Sequence, residues 1–153
     1  MHRALGLLAV VLGSACSTLP RLVERPGHPP SHLAFVDVAL FDGSTESLRE
    51  HVDVVTDGPV ISYIGPTGAQ PLPTTDVAVI DGRGKTLLPG LIDAHVHTGA
   101  AGAPPWKNEL PAPERNLEAY LYAGITTVID VGGETVEVTR RRDAVRSGTL
   151  LGP

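Results

Sequence analysis

The run 91–97, with the sequence LIDAHVH, ends in two histidines one residue apart, His95 and His97. Its apolar start is typical of a buried β-strand. Because side chains two residues apart share one face of a strand, both imidazoles are expected to point to the same side, away from Val96. Neutral imidazole is a common zinc ligand, so the pair can supply half of a four-ligand metal site. The local pattern is equally compatible with a strand that binds no metal and whose two histidines are only hydrogen-bonded to their neighbours.

The residues around this run predict two strand–helix units. A Pro-Gly turn at 89–90 precedes the first strand. The predicted elements are a strand over 91–97, a helix over 114–123, a strand over 125–131 and a helix over 136–147. Gly124 and Gly148 are typical stops after the two helices, and Thr135 is predicted to be the N-cap of the second. Strands and helices in this order, with short connections, are typical of a parallel sheet or barrel.

Three candidate side chains come at the carboxyl ends of the two predicted strands, which is where parallel sheets bind their ligands. They are His95, His97 and Asp130. Asp130 is expected either to support a ligand or contact a substrate, or else to fix a loop or helix end. Asp93 shares the face of its strand with the histidines, one pleat deeper. The loop 98–113 is long enough to overhang the site.

Short strand patterns separated by turn residues fill the segment 33–88. The predicted strands are 33–41, 51–56, 60–64 and 77–80. Two of them flank an Asp-Gly turn at 57–58, which predicts a hairpin. A run of short strands of this kind predicts a small β-sandwich or barrel. His51 is expected to be a surface residue at a strand end.

The first 15 residues have the pattern of an export signal, with a short basic start, an apolar run at 4–12 and small residues before Cys16. Cys16 is the only cysteine, so no disulfide can form within the chain. Its surroundings resemble a bacterial lipoprotein signal, in which this cysteine is lipidated and anchors the protein to a membrane. Lipidation of Cys16 and simple cleavage both remain open. Either one predicts an exported protein, which is a periplasmic or membrane lipoprotein or else secreted.

Charge and composition predict that two further stretches are exposed to solvent. The formal net charge is −5, and the one basic run, Arg140-Arg141-Arg142, falls on a predicted helix. We interpret this run as a solvated helix face, so nucleic acid is not an expected partner. The Pro-rich stretch 16–32, which includes His28 and His32, is predicted to be a solvated tether.

Two stretches resemble the signatures of a known group. The run 85–97, KTLLPGLIDAHVH, closely resembles the signature of the metal-dependent amidohydrolase superfamily. The run 123–133, AGITTVIDVGG, resembles the second strand of its imidazolonepropionase-like and prolidase-like branch. The resemblance implies an α/β fold in which a small β-sandwich precedes a (β/α)8 TIM barrel. The implied divisions are a signal peptide (1–15), a tether (16–32), a β-sandwich segment (33–88) and the first two βα units of an incomplete barrel (89–153).

The resemblance also implies a metal site and a reaction. His95 and His97 would be ligands of one or two divalent ions, with zinc as the expected metal and with Asp93 and Asp130 as supporting acids. The reaction would be hydrolysis of an amide, peptide-like or cyclic amide C–N bond of a small molecule by metal-activated water. The family's other ligands, a lysine, two histidines and an aspartate, come from later strands, so no catalytic residue carries over to this sequence.

The stretch after Pro89 is far shorter than the roughly 250 residues of a complete barrel. We therefore expect a truncated, N-terminal part of an exported hydrolase, inactive by itself and poorly stable because strand and helix faces stay exposed. Two other classes remain open. One is a non-catalytic exported lipoprotein that uses the same elements for binding. The other is a metal-binding module in which His28, His32 or His51 joins the histidine pair.

Overall fold

A computed structural model describes residues 20–101, 106–107 and 110–153. The predicted signal peptide over 1–15 and Cys16 lie outside these described residues. The elements within them are β1 (His32–Leu40), β2 (Arg49–Asp57), β3 (Val60–Pro66), β4 (Val77–Asp81), β5 (Thr86–Leu87), β6 (Leu91–Val96), α1 (Pro113–Tyr122), β7 (Ile125–Asp130) and α2 (Thr135–Arg146). Neither helix of this described part has the length and apolar character that a membrane crossing needs. Sheets and helices together agree with the predicted α/β class.

β1 is the central strand of a five-stranded sheet formed by the first half of the chain. The order is β3-β2-β1-β4, and β5 pairs with the far end of β1. β2 runs antiparallel to β1 and β3, whereas β4 and β5 run parallel to β1. β2 and β3 meet at a two-residue turn, Gly58-Pro59, which confirms the predicted hairpin. The described residues of this segment form a single sheet, so the sandwich stays a prediction.

β1 begins one residue earlier than predicted, at His32. The His32 N–H donates to the carbonyl oxygen of Asp76 at 3.1 Å, and the His32 ring nitrogen Nδ1 lies 3.2 Å from the carbonyl oxygen of Thr56. The prediction that His32 is a solvated tether residue is therefore wrong. The β1 ladder extends over it and leaves its side chain 26% exposed.

The described part of the predicted tether contains no helix or strand before β1, yet it lies against both helices. Leu22 N–H donates to the Glu118 carboxylate of α1 at 3.1 Å. Arg25 Nη1 donates to the carbonyl oxygen of Gly148, just after α2, at 2.8 Å. These contacts hold residues 20–25 in place, whereas His28 is exposed as predicted.

The core of the five-stranded sheet is small and apolar. Its buried residues are Val38, Leu40, Val52 and Val54, with Phe35 and Leu87 packed against them. Neighbouring members of this cluster are two residues apart in β1 and in β2, which is the spacing that places side chains on one face of a strand. The alternating apolar pattern of the sequence therefore produces this core.

A buried carboxylate, Asp53 of β2, stabilises an irregular part of the β1–β2 ladder. Asp37 and His51 have positive φ angles of 60° and 56° beside a shift in strand register. The Asp53 oxygens accept the N–H of Gly68 at 3.0 Å and the N–H of Asp37 at 2.9 Å, and Asp53 is 2% exposed. Burial opposes the charged form, but these donors outweigh it and hold the pKa of Asp53 below its ordinary value.

The second half of the chain contains a parallel pair of strands, β6 and β7, and α1 between them packs against β7. This pairing confirms the predicted parallel order. β6 ends at Val96, so the prediction that the strand includes His97 is one residue too long. The bond from the Val131 N–H to the Val96 carbonyl is the last between the two strands, and the chain then turns, with the Ala100 N–H donating to the His97 carbonyl, both at 3.0 Å.

The ends of the helices follow the sequence signals with one exception. Gly124 and Gly148 stop the helices in the left-handed conformation, with φ of 81° and 76°, as predicted. The prediction that Thr135 is the N-cap of α2 is wrong. Glu134 is the N-cap, without a side-chain hydrogen bond, and its carbonyl accepts the Val138 N–H at 3.0 Å, so Thr135 is already the first helical residue.

Candidate metal centre

His95 and His97 lie side by side at the carboxyl end of β6. Their ring centroids are 5.6 Å apart, and the two ring planes make an angle of 69°. Both residues are exposed. The two imidazoles are thus neighbours, as their spacing predicts, even though His97 lies just beyond the strand.

Gly132, in the loop after β7, makes room for the His97 ring. A Cβ atom built on Gly132 would overlap Nδ1 and Cε1 of that imidazole, whereas Nε2 is not among the nearest atoms. The Nδ1–Cε1 edge therefore rests against the glycine backbone, and Nε2 is the nitrogen turned away from it. The absence of a side chain at Gly132 thus sets the position of the His97 ring.

The Asp93 side chain forms a hydrogen bond with the backbone of its own strand, β6. Its Oδ1 accepts the N–H of His95 at 3.1 Å, which holds the end of the strand in place. Burial first, and then the charges of Asp93 and Asp130, raise the pKa of Tyr120 on α1. Tyr120 is therefore a neutral phenol near these two acids.

Asp130 ties the ends of β6 and β7 together. Its Oδ2 accepts the N–H of Thr98 at 3.1 Å and the Thr98 hydroxyl at 2.5 Å, and its Oδ1 accepts the N–H of Gly132 at 3.1 Å. Burial opposes ionisation, but the hydrogen bonds from Thr98 and Gly132 and the charge of Arg141 hold the pKa of Asp130 below its ordinary value. Of the two roles that the sequence left open, this geometry favours the fixing of a loop.

Two residues that hold the same loop were not recognised from the sequence. Thr98, 5% exposed, follows His97 directly. Asn116 of α1 donates through Nδ2 to the carbonyl oxygens of Thr98 at 3.0 Å and Ala100 at 2.8 Å. Thr98 could have been recognised as a candidate from the sequence, because it directly follows the histidine pair. Asn116 gave no such sign in the sequence, because its hydrogen-bond partners, Thr98 and Ala100, are well separated from it along the chain.

The interpretation of the three arginines as a solvated helix face is wrong for Arg141. Its side chain is 12% exposed, and its Nε has no hydrogen-bond partner among the described residues. The helical rotation of α2 turns it towards the loop after β6, while Arg140 and Arg142 remain exposed and pair with Glu137 and Asp143. A largely covered cation, with its Nη1 3.8 Å from a Glu137 carboxylate oxygen, thus lies close to the carboxylate that ties the two strand ends.

An open cleft of about 740 Å³ lies beside His97. Its walls include the loop after β6, the two glycines after β7 and two acids near the start of α2, Glu134 and Glu137. Small-molecule sites in proteins have volumes of about 300–1,000 Å³. The cleft therefore has room for a small molecule beside His97.

The donor set fits half of a divalent metal site. The ring centre of a zinc-bound imidazole lies about 3 Å from the metal, so two rings on one tetrahedral ion are about 5 Å apart. The observed 5.6 Å is close to this separation. In residues 20–101, 106–107 and 110–153, no three side chains of His, Cys, Asp or Glu are placed to hold a metal. Thus His28, His32 and His51 do not join the pair in this part of the chain.

Comparison with known proteins identifies the family. No model of a protein family matches the chain. An imidazolonepropionase from Pseudomonas aeruginosa (strain UCBPP-PA14) is 39% identical over 103 residues, which are 67% of this chain and 24% of that protein. An adenine deaminase from Serratia proteamaculans (strain 568) is 36% identical over 104 residues, which are 67% of this chain and 15% of that protein. The chain belongs to the amidohydrolase superfamily.

A solved member of the amidohydrolase superfamily has a similar fold. The crystal structure of a Xaa-Pro dipeptidase with bound methionine in the active site is 34% identical, with a TM-score of 0.58, and the match covers 80% of this chain and 32% of that one. The predicted relationship to the amidohydrolase superfamily is therefore confirmed. This amidohydrolase chain spans about a quarter of the length of the imidazolonepropionase that it matches.

Proposed function

We propose that this amidohydrolase chain supplies the first two metal ligands, His95 and His97, of a hydrolase that cleaves amide-type C–N bonds of small molecules. The observation that carries the proposal is the pair of exposed imidazoles, 5.6 Å apart, at the end of β6. The relationship to an imidazolonepropionase and a Xaa-Pro dipeptidase supports the reaction class. Zinc is the proposed metal, because imidazole nitrogen is one of its preferred ligands.

The proposal includes an architecture in which 33–88 belong to a β-sandwich and 89–153 begin a (β/α)8 barrel. The parallel pairing of β6 and β7 supports the barrel. Large apolar side chains of the two strands and their ends are between 48% and 68% exposed, namely Leu91, Ile92, Ile129 and Val131. Parallel sheets are usually covered on both faces, so these side chains suit contacts with further strands and helices.

The proposed roles of the residues follow from their contacts. A bound divalent ion would activate water for attack on the C–N bond. His95 and His97 would hold the ion through neutral nitrogens, with Nε2 of His97 turned away from Gly132. Asp130 has no role as a proton carrier in this proposal, because both of its oxygens already accept backbone hydrogen bonds, and the role of Asp93 is to hold the N–H of His95.

The remaining ligands are proposed to come from later strands, as the family resemblance implies. Two imidazoles bind a divalent ion weakly when the other positions are open to water, and a hydrolytic site needs a further group to move protons. We therefore propose that the 153 residues alone do not catalyse steady turnover.

The place of action is proposed to be outside the cytoplasm. The basic start, the apolar run at 4–12 and the small residues before Cys16 support this part of the proposal. Lipidation of Cys16 would anchor the protein to a membrane, and cleavage alone would release it to the periplasm or the medium.

The metal ligands are tested by titrating the chain with Zn²⁺ against a competing chelator at neutral pH. All proteins carry Cys16→Ser, because a thiolate itself binds zinc. We expect His95→Ala and His97→Ala each to weaken binding by more than the roughly tenfold loss typical of removing a group that only orients a ligand. His28→Ala, at an exposed tether residue, is the control and keeps the parent affinity.

Parent-like Zn²⁺ affinity in both His95→Ala and His97→Ala would contradict the proposal. Loss of binding on replacing His28, His32 or His51 instead would favour the metal-binding module. A parent protein that binds no Zn²⁺ would favour the non-catalytic lipoprotein.

A further inference from the structure

The strongest hydrogen-bond network near the histidine pair is centred on Asp130, whose side chain contacts two loops at once. Its Oδ2 accepts both the N–H and the hydroxyl of Thr98, and its Oδ1 accepts the N–H of Gly132. Thr98 is the residue after His97, and Gly132 is the residue against which the His97 ring rests. One carboxylate thus holds the backbone on both sides of a single imidazole.

The same loop is held from the opposite side by α1. Asn116 donates to the carbonyl oxygens of Thr98 and Ala100 at 3.0 and 2.8 Å. Thr98 therefore has its N–H, hydroxyl and carbonyl all engaged within a 5% exposed environment. A backbone fixed in this way at Thr98 restricts the conformations of its two neighbours in sequence, one of which is His97.

Both oxygens of Asp130 are already engaged in hydrogen bonds within the protein. Three donors already point at its two oxygens, and the nearby positive charge of Arg141 favours the ionised form. An ionised carboxylate can accept all three hydrogen bonds, since it carries no proton of its own. An amide of the same shape cannot, because its NH₂ group would face a donor.

We infer that Asp130 is a positioning residue for His97, acting through Thr98 and Gly132 to set where that imidazole presents Nε2 to a divalent ion. The part of this inference that concerns the ion rests on the proposed function. The part that concerns the placement of the ring does not, and it is measured without metal.

The test compares Asp130→Asn with the parent chain by histidine side-chain NMR without metal and by Zn²⁺ titration. We expect the His97 ring signals to move towards those of a freely rotating histidine, with a smaller change at His95, whose ring lies beside that of His97 but whose backbone is held by Asp93. Zn²⁺ affinity is expected to fall about tenfold, as when a partner that orients a metal ligand is removed. Asp143→Asn, at an exposed acid of α2, is the matched control and changes neither.

A second variant covers the case in which Asp130→Asn does not fold. Thr98→Val keeps the side-chain shape and the backbone hydrogen bond to Asp130 but removes the hydroxyl donor. We therefore expect the His97 ring signals to change in the same direction by a smaller amount. Parent-like His97 signals in a folded Asp130→Asn, or in Thr98→Val if the first variant is unfolded, overturn the inference. If the parent chain binds no Zn²⁺, the proposed function fails, and the metal-free His97 signals still decide this inference.

Discussion

Replacing Gly132 by alanine is expected to weaken Zn²⁺ binding while the chain stays folded. The new Cβ would overlap Nδ1 and Cε1 of His97, so the ring must move away from Gly132 and leave its present position beside His95. Changing a group that orients a metal ligand typically lowers affinity by roughly 10–100-fold, which is the loss expected here. Gly132 does not have a positive φ, so alanine adds no backbone strain at this position.

The matched control for this prediction is Gly27→Ala, since a Cβ at Gly27 would meet no atom within 4 Å. Chelator competition measures the Zn²⁺ affinity of both variants, and circular dichroism checks that both are folded. Binding by a folded Gly132→Ala as tight as by Gly27→Ala would show that the position of the His97 ring does not matter for the metal.

Asp53→Ala is expected to have the largest effect on stability, lowering the free energy of unfolding by about 3 kcal/mol. The change leaves the N–H groups of Asp37 and Gly68 without their acceptor, and each such loss costs about 1–3 kcal/mol in a buried setting. Small domains are stabilised by only about 5–15 kcal/mol in total, so the effect is large. Urea denaturation followed by circular dichroism measures it.

The pH dependence of folding stability gives a second test of the role of Asp53. Because the pKa of Asp53 is lower in the folded chain than in the unfolded one, its contribution is present above about pH 4 and declines as pH falls towards the folded value. The difference between the parent chain and Asp53→Ala should therefore shrink in acid. Asp57→Ala is the control, at a side chain 71% exposed in the same strand. Equal destabilisation by the two substitutions would contradict this role for Asp53.

Local sequence patterns were sufficient for the histidine pair and for every described strand except the two-residue β5, which was not predicted. The short apolar runs between turn residues predicted strands, and the i and i+2 spacing of His95 and His97 predicted neighbouring rings. Gly124 and Gly148 marked the helix ends because only glycine readily adopts the left-handed conformation there. Each of these signals depends on residues that are close together in the chain.

The features that sequence reasoning missed depend on contacts between distant segments. Gly132 looks like an ordinary strand stop until its contact with His97 is seen, and Asn116 looks like a surface helix residue. Arg141 has the same neighbours in sequence as two solvated arginines, and only the packing of α2 near the loop after β6 buries it. The left-handed conformation of Asp37 likewise follows from Asp53 on the neighbouring strand.

The most direct test of the metal centre is NMR of the histidine side-chain nitrogens during addition of Zn²⁺ to the chain carrying Cys16→Ser. We predict that the nitrogen signals of His95 and His97 change together and with the same dependence on Zn²⁺ concentration, because both rings bind one ion. The signals of His28, His32 and His51 should stay constant. Changes confined to those three histidines, or separate responses of His95 and His97, would contradict the assignment of this pair as the first ligands of the site.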